Sequence, residues 1–290
     1  MSLYAALIAP FVDYGFMRRA LLACVSLGVG AGPVGVLLML RRMSLMGDAM
    51  SHAVLPGAAV GFLVAGGLSL PAMGLGGLIA GLGVALLSGF VSRTTRLQED
   101  ASFASFYLAS LALGVLIVSL KGSNIDLLHV LFGTILAIDA PALLLVASIT
   151  SITLLVLALV YRPLVVECFD PGFLRAVGAR GFFYHFVFLL LVVLNLVAGF
   201  QTLGTLMSVG MMMLPAVTAR LWAGTLAGMA AVSALVASVS GWAGLLVSYH
   251  LRFASGPSII LVAFLLYSMS LLVAPDGALR RLIKRPHLAG

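Results

Sequence analysis

The sequence predicts an all-α, polytopic helical membrane protein of about nine transmembrane helices, and three observations carry that prediction. Of its 290 residues 62% are hydrophobic and only 9% are charged, where a soluble domain carries about 25%. The mean hydropathy is +1.21, and long apolar runs recur from one end of the chain to the other, without the short alternating segments of a membrane β-barrel. The 16 lysines and arginines, which give a net charge of +7, punctuate the ends of apolar runs instead of clustering on a face. That arrangement sets membrane topology and excludes a nucleic-acid-binding role.

In chain order the apolar runs place spans at residues 20–40, 46–66, 70–91, 102–120, 141–161, 182–200, 203–222, 225–248 and 256–274. Each is close to the ~20 residues that cross ~30 Å of hydrocarbon. The piece 121–140, KGSNIDLLHVLFGTILAIDA, is too short and mixed for a span, and is expected as short helices at the outer surface or a re-entrant element. With these spans, twelve basic residues fall on one side: Arg41, Arg42, Arg93, Arg96, Arg162, Arg175, Arg180, Arg220, Arg280, Arg281, Lys284 and Arg285. Four fall on the other: Arg18, Arg19, Lys121 and Arg252. The richer side is expected to be cytoplasmic, so the N-terminus lies outside and the C-terminus inside.

The N-terminal stretch lacks the positive region and small-residue cleavage site of a removable signal peptide. Cys24 and Cys168 make neither a disulfide framework nor a C-x-x-C motif. Glycines spaced by four (Gly28 and Gly32, Gly57 and Gly61, Gly77 and Gly81) suit close helix packing in lipid. Residues 1–290 read as one transmembrane domain, with a cytoplasmic loop at about 162–182 and a basic cytoplasmic tail at about 276–290.

Inside this apolar chain the stretch RRMSLMGDAMSHAVLPG (41–57) stands out. An ionisable group at the bilayer centre costs at least ~2.5–3.5 kcal/mol on insertion scales, so it has a partner or a function. Asp48 and His52, at i and i+4, share one helical face and offer an oxygen and a nitrogen ligand suited to a divalent transition metal. A helix N-cap at Ser44 would put Asp48 near a positive helix end. Pro56 has no N–H to bond the His52 carbonyl. From the spacing alone two readings stand: a metal site, or two polar groups that satisfy each other or a neighbouring helix. Asp126 and His129, on the outer side, form a weaker candidate for receiving a cation and also fit a solvated pair. His185, His250 and His287 read as interfacial or tail residues, and Met211–Met213 as packing.

In the loop, FDPGFLRAVG sets Asp170 as an N-cap and Pro171 at the first helical position, with Gly178 as the stop. The resulting short helix carries Phe173, Leu174 and Val177 with Arg175 beside them. A Walker A phosphate loop, G-x-x-x-x-G-K-[ST], is absent, so any ATP hydrolysis belongs to a partner.

The stretches LRRMSLMGDAMSHAVLPGAAVGFL, SLALGVLIVSL, DLLHVLFGTILAI, FDPGFLRAVG and GTLMSVGMMMLPAVTARL resemble the membrane permease subunits of ABC importers for zinc, manganese and ferrous iron. The likeness covers about Phe16 to Pro275, and the layout is more distantly similar to cobalamin and siderophore ABC importer permeases. The resemblance implies a homodimeric pore in the bacterial cytoplasmic (inner) membrane, a cytoplasmic ABC ATPase subunit that binds ATP, and an extracytoplasmic metal-binding protein. It implies that Asp48 and His52 contact the transported divalent ion and that no cofactor is bound permanently. It also implies that Asp170, Pro171, Phe173, Leu174, Arg175 and Gly178 belong to the helix that docks on the ATPase. The chain departs from the usual motif at Gly172 and Leu174, where the family often has an acid and an alanine. Two copies would bring two carboxylates and two imidazoles to one ion.

The rival readings are a secondary metal/proton antiporter, which would need no ATPase, and an ABC permease for a metal chelate. An intramembrane metalloprotease would need H-E-x-x-H, which does not occur. Mixed oxygen and nitrogen ligands suit zinc, manganese and ferrous iron alike, with zinc placed slightly ahead of manganese at this stage.

Overall fold

Nine long helices account for most of the chain in a computed structural model that describes residues 4, 7–67, 69–120, 138–170, 173, 176, 181–275 and 277. A short helix, α1 (Ala9–Asp13), precedes α2 (Gly15–Leu40), α3 (Ser44–Ala65), α4 (Leu70–Thr94), α5 (Glu99–Leu120) and α6 (Ala140–Phe169). Then come α7 (Gly181–Leu203), α8 (Thr205–Trp222), α9 (Leu226–Leu251) and α10 (Ser255–Val273). Each of the nine predicted spans coincides with one long helix. Eight of these are long and apolar enough to cross a membrane; α8 is the exception. It carries Pro215 and Arg220, and it is held among α2, α9 and α10.

The helices are ordered by how much lipid they can face. In α7 78% of the most apolar window is buried, against 17% in α5. The sequence of α7 is apolar around its whole circumference, as a central helix requires. It touches α2, α4, α6 and α8, while α3 packs mainly on α4 and α5. At the α3–α4 crossing a β-carbon at Gly57 would run into the Gly76 carbonyl oxygen, and one at Gly61 into the carbonyl of Ala72. Small residues therefore let these two backbones meet, as the four-residue spacing predicts.

Two corners are tight. Arg42 has a left-handed backbone (φ 60). Its N–H bonds the Met39 carbonyl and that of Met43 bonds Leu38, each at 3.0 Å, which is the paired bonding of a Schellman helix end with arginine where glycine is usual. Between α7 and α8 a single residue, Gly204 (φ 89), turns the chain.

Two local expectations are corrected. Ser44 is not the cap of α3: Met43 holds that position and no side chain caps the helix. The loop expected to start at 162 starts later, because α6 runs through Pro163 to Phe169. The extension is not solvated, since Leu164 and Glu167 are buried, and burial against protein outweighs the one hydrogen bond that proline removes.

Candidate metal site between α3, α8 and α10

Asp48 and His52 lie on the first three turns of α3. The His52 Nε2 stands 3.9 Å from Asp48 Oδ1, too far for a hydrogen bond. Ligand atoms sharing one ion through ~2.1 Å bonds at a tetrahedral angle are about 3.4 Å apart, so a small rotamer change suffices for both to reach one cation. The two side chains differ in environment: that of Asp48 is 68% exposed and that of His52 31%. The His52 Nδ1 is buried and has no hydrogen-bond partner among the described residues. Ser51 does not compete for the carboxylate, because its hydroxyl donates to the Asp48 carbonyl at 2.7 Å.

The pair opens on a cleft of about 320 Å³, whose other walls are Thr205, Leu206, Val209 and Gly210 of α8 and Ile260 of α10. Gly204 makes the α8 wall possible by turning the chain just before Thr205. Its depth can be followed across the bundle. Val54, half a turn beyond His52, packs on Gly77, which faces Val197 of α7. From His185 to Val197 α7 rises about 18 Å, and His185 is level with the corner at Arg41, to which it is bonded. Val54 thus stands about 18 Å along the bundle from that corner, and His52, two residues earlier, about 15 Å, roughly half of a ~30 Å hydrocarbon layer.

Among the described residues no group of three or more His, Cys, Asp or Glu side chains converges. The described residues of one chain thus offer two ligands here, short of the four or more that a divalent transition metal takes. Asp126 and His129 lie outside the described residues, as do His287, Pro171, Leu174, Arg175 and Gly178. For the docking segment the structure gives its start: the Phe173 N–H donates to Asp170 Oδ1 at 2.9 Å, the geometry of an N-cap. Phe173 is exposed. Met211 and Met212 are fully buried in the core, in keeping with their packing role.

A second polar cluster escaped the sequence reading. His185, expected to be interfacial, is buried, and its Nδ1 lies 2.9 Å from Arg41 Nη1. Arginine can only donate, so Nδ1 accepts and the neutral ring carries its proton on Nε2. The other arm of Arg41 reaches Glu167, 3.6 Å from Oε1 and 3.4 Å from the main-chain oxygen. The guanidinium lies 4.5 Å from the centre of the Phe188 ring. These partners are 126 and 144 positions from Arg41, and no local motif announces them.

Residues 13–274 match the model of the ABC 3 transport family. A manganese transport system membrane protein, MntC, from Halalkalibacterium halodurans is 36% identical over 93% of this chain and 91% of its own length. The manganese import system permease protein ScaB of Streptococcus parasanguinis is 34% identical, over 93% and 96%. The chelated iron transport system membrane protein YfeD of Yersinia pestis is 32% identical, over 94% and 90%. Among solved structures, PsaBC from Streptococcus pneumoniae in complex with a Fab superposes with a TM-score of 0.83 at 32% identity, over 96% of this chain and 100% of that one. An inward-facing metal-chelate type ABC transporter superposes at 0.67 with 14% identity, over 88% and 85%, which is a likeness of fold alone.

Proposed function

The chain belongs to the ABC 3 transport family, and on that premise we propose that it is the pore-forming permease subunit of an ATP-driven importer of a divalent transition-metal ion, with Asp48 and His52 as the station the ion passes. The observation that carries the station is the pair itself: a carboxylate and an imidazole on one face of α3, 3.9 Å apart, opening on a cleft at membrane depth. No hydrogen bond between the two ties up their ligand atoms, which favours a site over a pair kept only for its mutual contact.

The exposure of Asp48 argues for a second copy. A carboxylate 68% exposed at that depth cannot face lipid without a cost of several kcal/mol. Two chains related by a two-fold axis would enclose it, and would raise the ligand count to two carboxylates and two imidazoles. Such a site holds an ion without thiolates, so it can also release it. Relatives named for manganese and chelated iron move manganese ahead of zinc as the cargo.

ATP would be hydrolysed by a cytoplasmic partner seated on the segment that Asp170 caps, and metal would be delivered from the outer side by a binding protein. The basic residues support a cytoplasmic (inner) membrane location with the N-terminus outside. The test is uptake of manganese per inserted molecule at fixed pH. Asp48→Asn removes the charge at constant size and His52→Leu removes the nitrogen at similar bulk. Each should abolish uptake while protein abundance holds. Near-normal uptake by the double variant would sink the station.

A further inference from the structure

Arg41 contacts residues on both flanks of the segment that we assign to ATPase docking. Glu167 lies one helical turn before Asp170, the residue whose carboxylate caps the start of that segment. His185 lies on the second turn of α7, which begins at Gly181, after that segment. One guanidinium therefore holds the chain as it enters and as it leaves the docking segment. Its side chain is only 7% exposed and that of Glu167 6%, so water cannot substitute for either contact.

The other side of Arg41 leads to the metal site. Arg41 caps the C-terminus of α2, and α3 starts three residues later. The corner between them is fixed by two hydrogen bonds of 3.0 Å across the left-handed Arg42, and Met43 is buried. A corner so closed cannot absorb a displacement by unwinding; it hands the displacement to the first turns of α3, where Asp48 lies.

We propose that Arg41 is the positioning residue of the transport cycle: its contacts to Glu167 and His185 convey movement of the ATPase-docked segment to the helix that carries Asp48 and His52. The inference rests on the transport reading above. Glu167 fits the role better than a merely cohesive one, because its Oε2 is buried without a hydrogen bond among the described residues. A buried ion pair is by itself weak support for a fold.

The experiment uses the complete complex in lipid vesicles and reads manganese transported per ATP hydrolysed. The variant Arg41→Met/Glu167→Leu removes both charges and leaves neither uncompensated, so it is expected to insert and assemble. Transport per ATP should fall on the order of tenfold, the scale of an ordinary coupling between two sites. ATP hydrolysis and equilibrium manganese binding should persist. Glu167→Gln, isosteric and still an acceptor, guards against misfolding of the double variant and should show a smaller loss. An unchanged ratio in either assembled variant overturns the proposal. Parallel vesicles with Asp48→Asn keep the two readings separable: normal uptake there refutes the metal station, whatever Arg41 does.

Discussion

Gly57→Ala puts a single methyl group where α3 and α4 meet. The new β-carbon would stand 2.5 Å from the Gly76 carbonyl carbon and 2.7 Å from the Ala80 β-carbon, where carbon atoms prefer about 3.5–4.0 Å. Neither obstacle is the end of a flexible side chain, so relief requires the two helices to separate by about 1 Å. Overpacking of this kind costs about 1–3 kcal/mol. Alanine also favours a helix over glycine by about 1 kcal/mol, and this gain would mask part of the loss. Gly83→Ala cancels it, because it makes the same exchange inside α4 with nothing within 4 Å of the added carbon. The difference in stability between the two variants should therefore equal the overpacking alone, about 1–3 kcal/mol with Gly57→Ala the weaker. Thermal inactivation of the two purified proteins in one detergent measures it. Manganese uptake should fall with Gly57→Ala as well, since a displaced α3 no longer holds Asp48 and His52 in register with the α8 wall of the cleft. Equal stability of the two proteins would refute the account of the α3–α4 crossing.

Arg42→Gly should raise thermal stability by about 0.5–1 kcal/mol, because the left-handed conformation costs a residue with a β-carbon about 1–2 kcal/mol and glycine returns part of that in the unfolded chain. Arg42→Ala should show no such gain, and a melting series of the two decides it. Phe173→Glu places a charge on the exposed ring position after the Asp170 cap; co-purification of the ATPase should drop while insertion of the permease is unaffected, and an intact, active complex would remove the docking assignment. A cysteine at position 96, in a background without Cys168, should react with an impermeant thiol reagent only from the cytoplasmic side. Labelling from outside would invert the topology drawn from the basic residues.

The helical skeleton was legible because each run of apolar residues needs only its own composition to declare itself. The observed helices therefore begin and end near the predicted positions, apart from α2, which starts at Gly15 and takes in Arg18 and Arg19, and α6, which runs on to Phe169. The Asp48–His52 pair was legible for a similar reason: its members are four residues apart in a place where polar groups are costly. What failed was everything decided by partners distant in sequence. Pro163 followed Arg162 like the end of a membrane span, yet α6 continues because Leu164 and Glu167 have a protein surface to enter. His185 looked like an interfacial residue until Arg41 was found beside it. Ser44 has the chemistry of a cap and sits one residue past the place where a cap acts. Local composition specifies where a helix can exist; only the assembled bundle specifies how far it runs.

The exposed carboxylate of Asp48 also bears on the life of a newly made chain. A lone copy released into the bilayer would present a charge to the acyl chains, drawing water and headgroups inward. In the proposed dimer this would not arise, because the second copy would enclose the cleft. Orphan and assembled copies would then differ in a feature that can be sensed within the membrane, without reading a degradation sequence. The group suited to handling a cation would then double as a mark of incompleteness, erased by assembly.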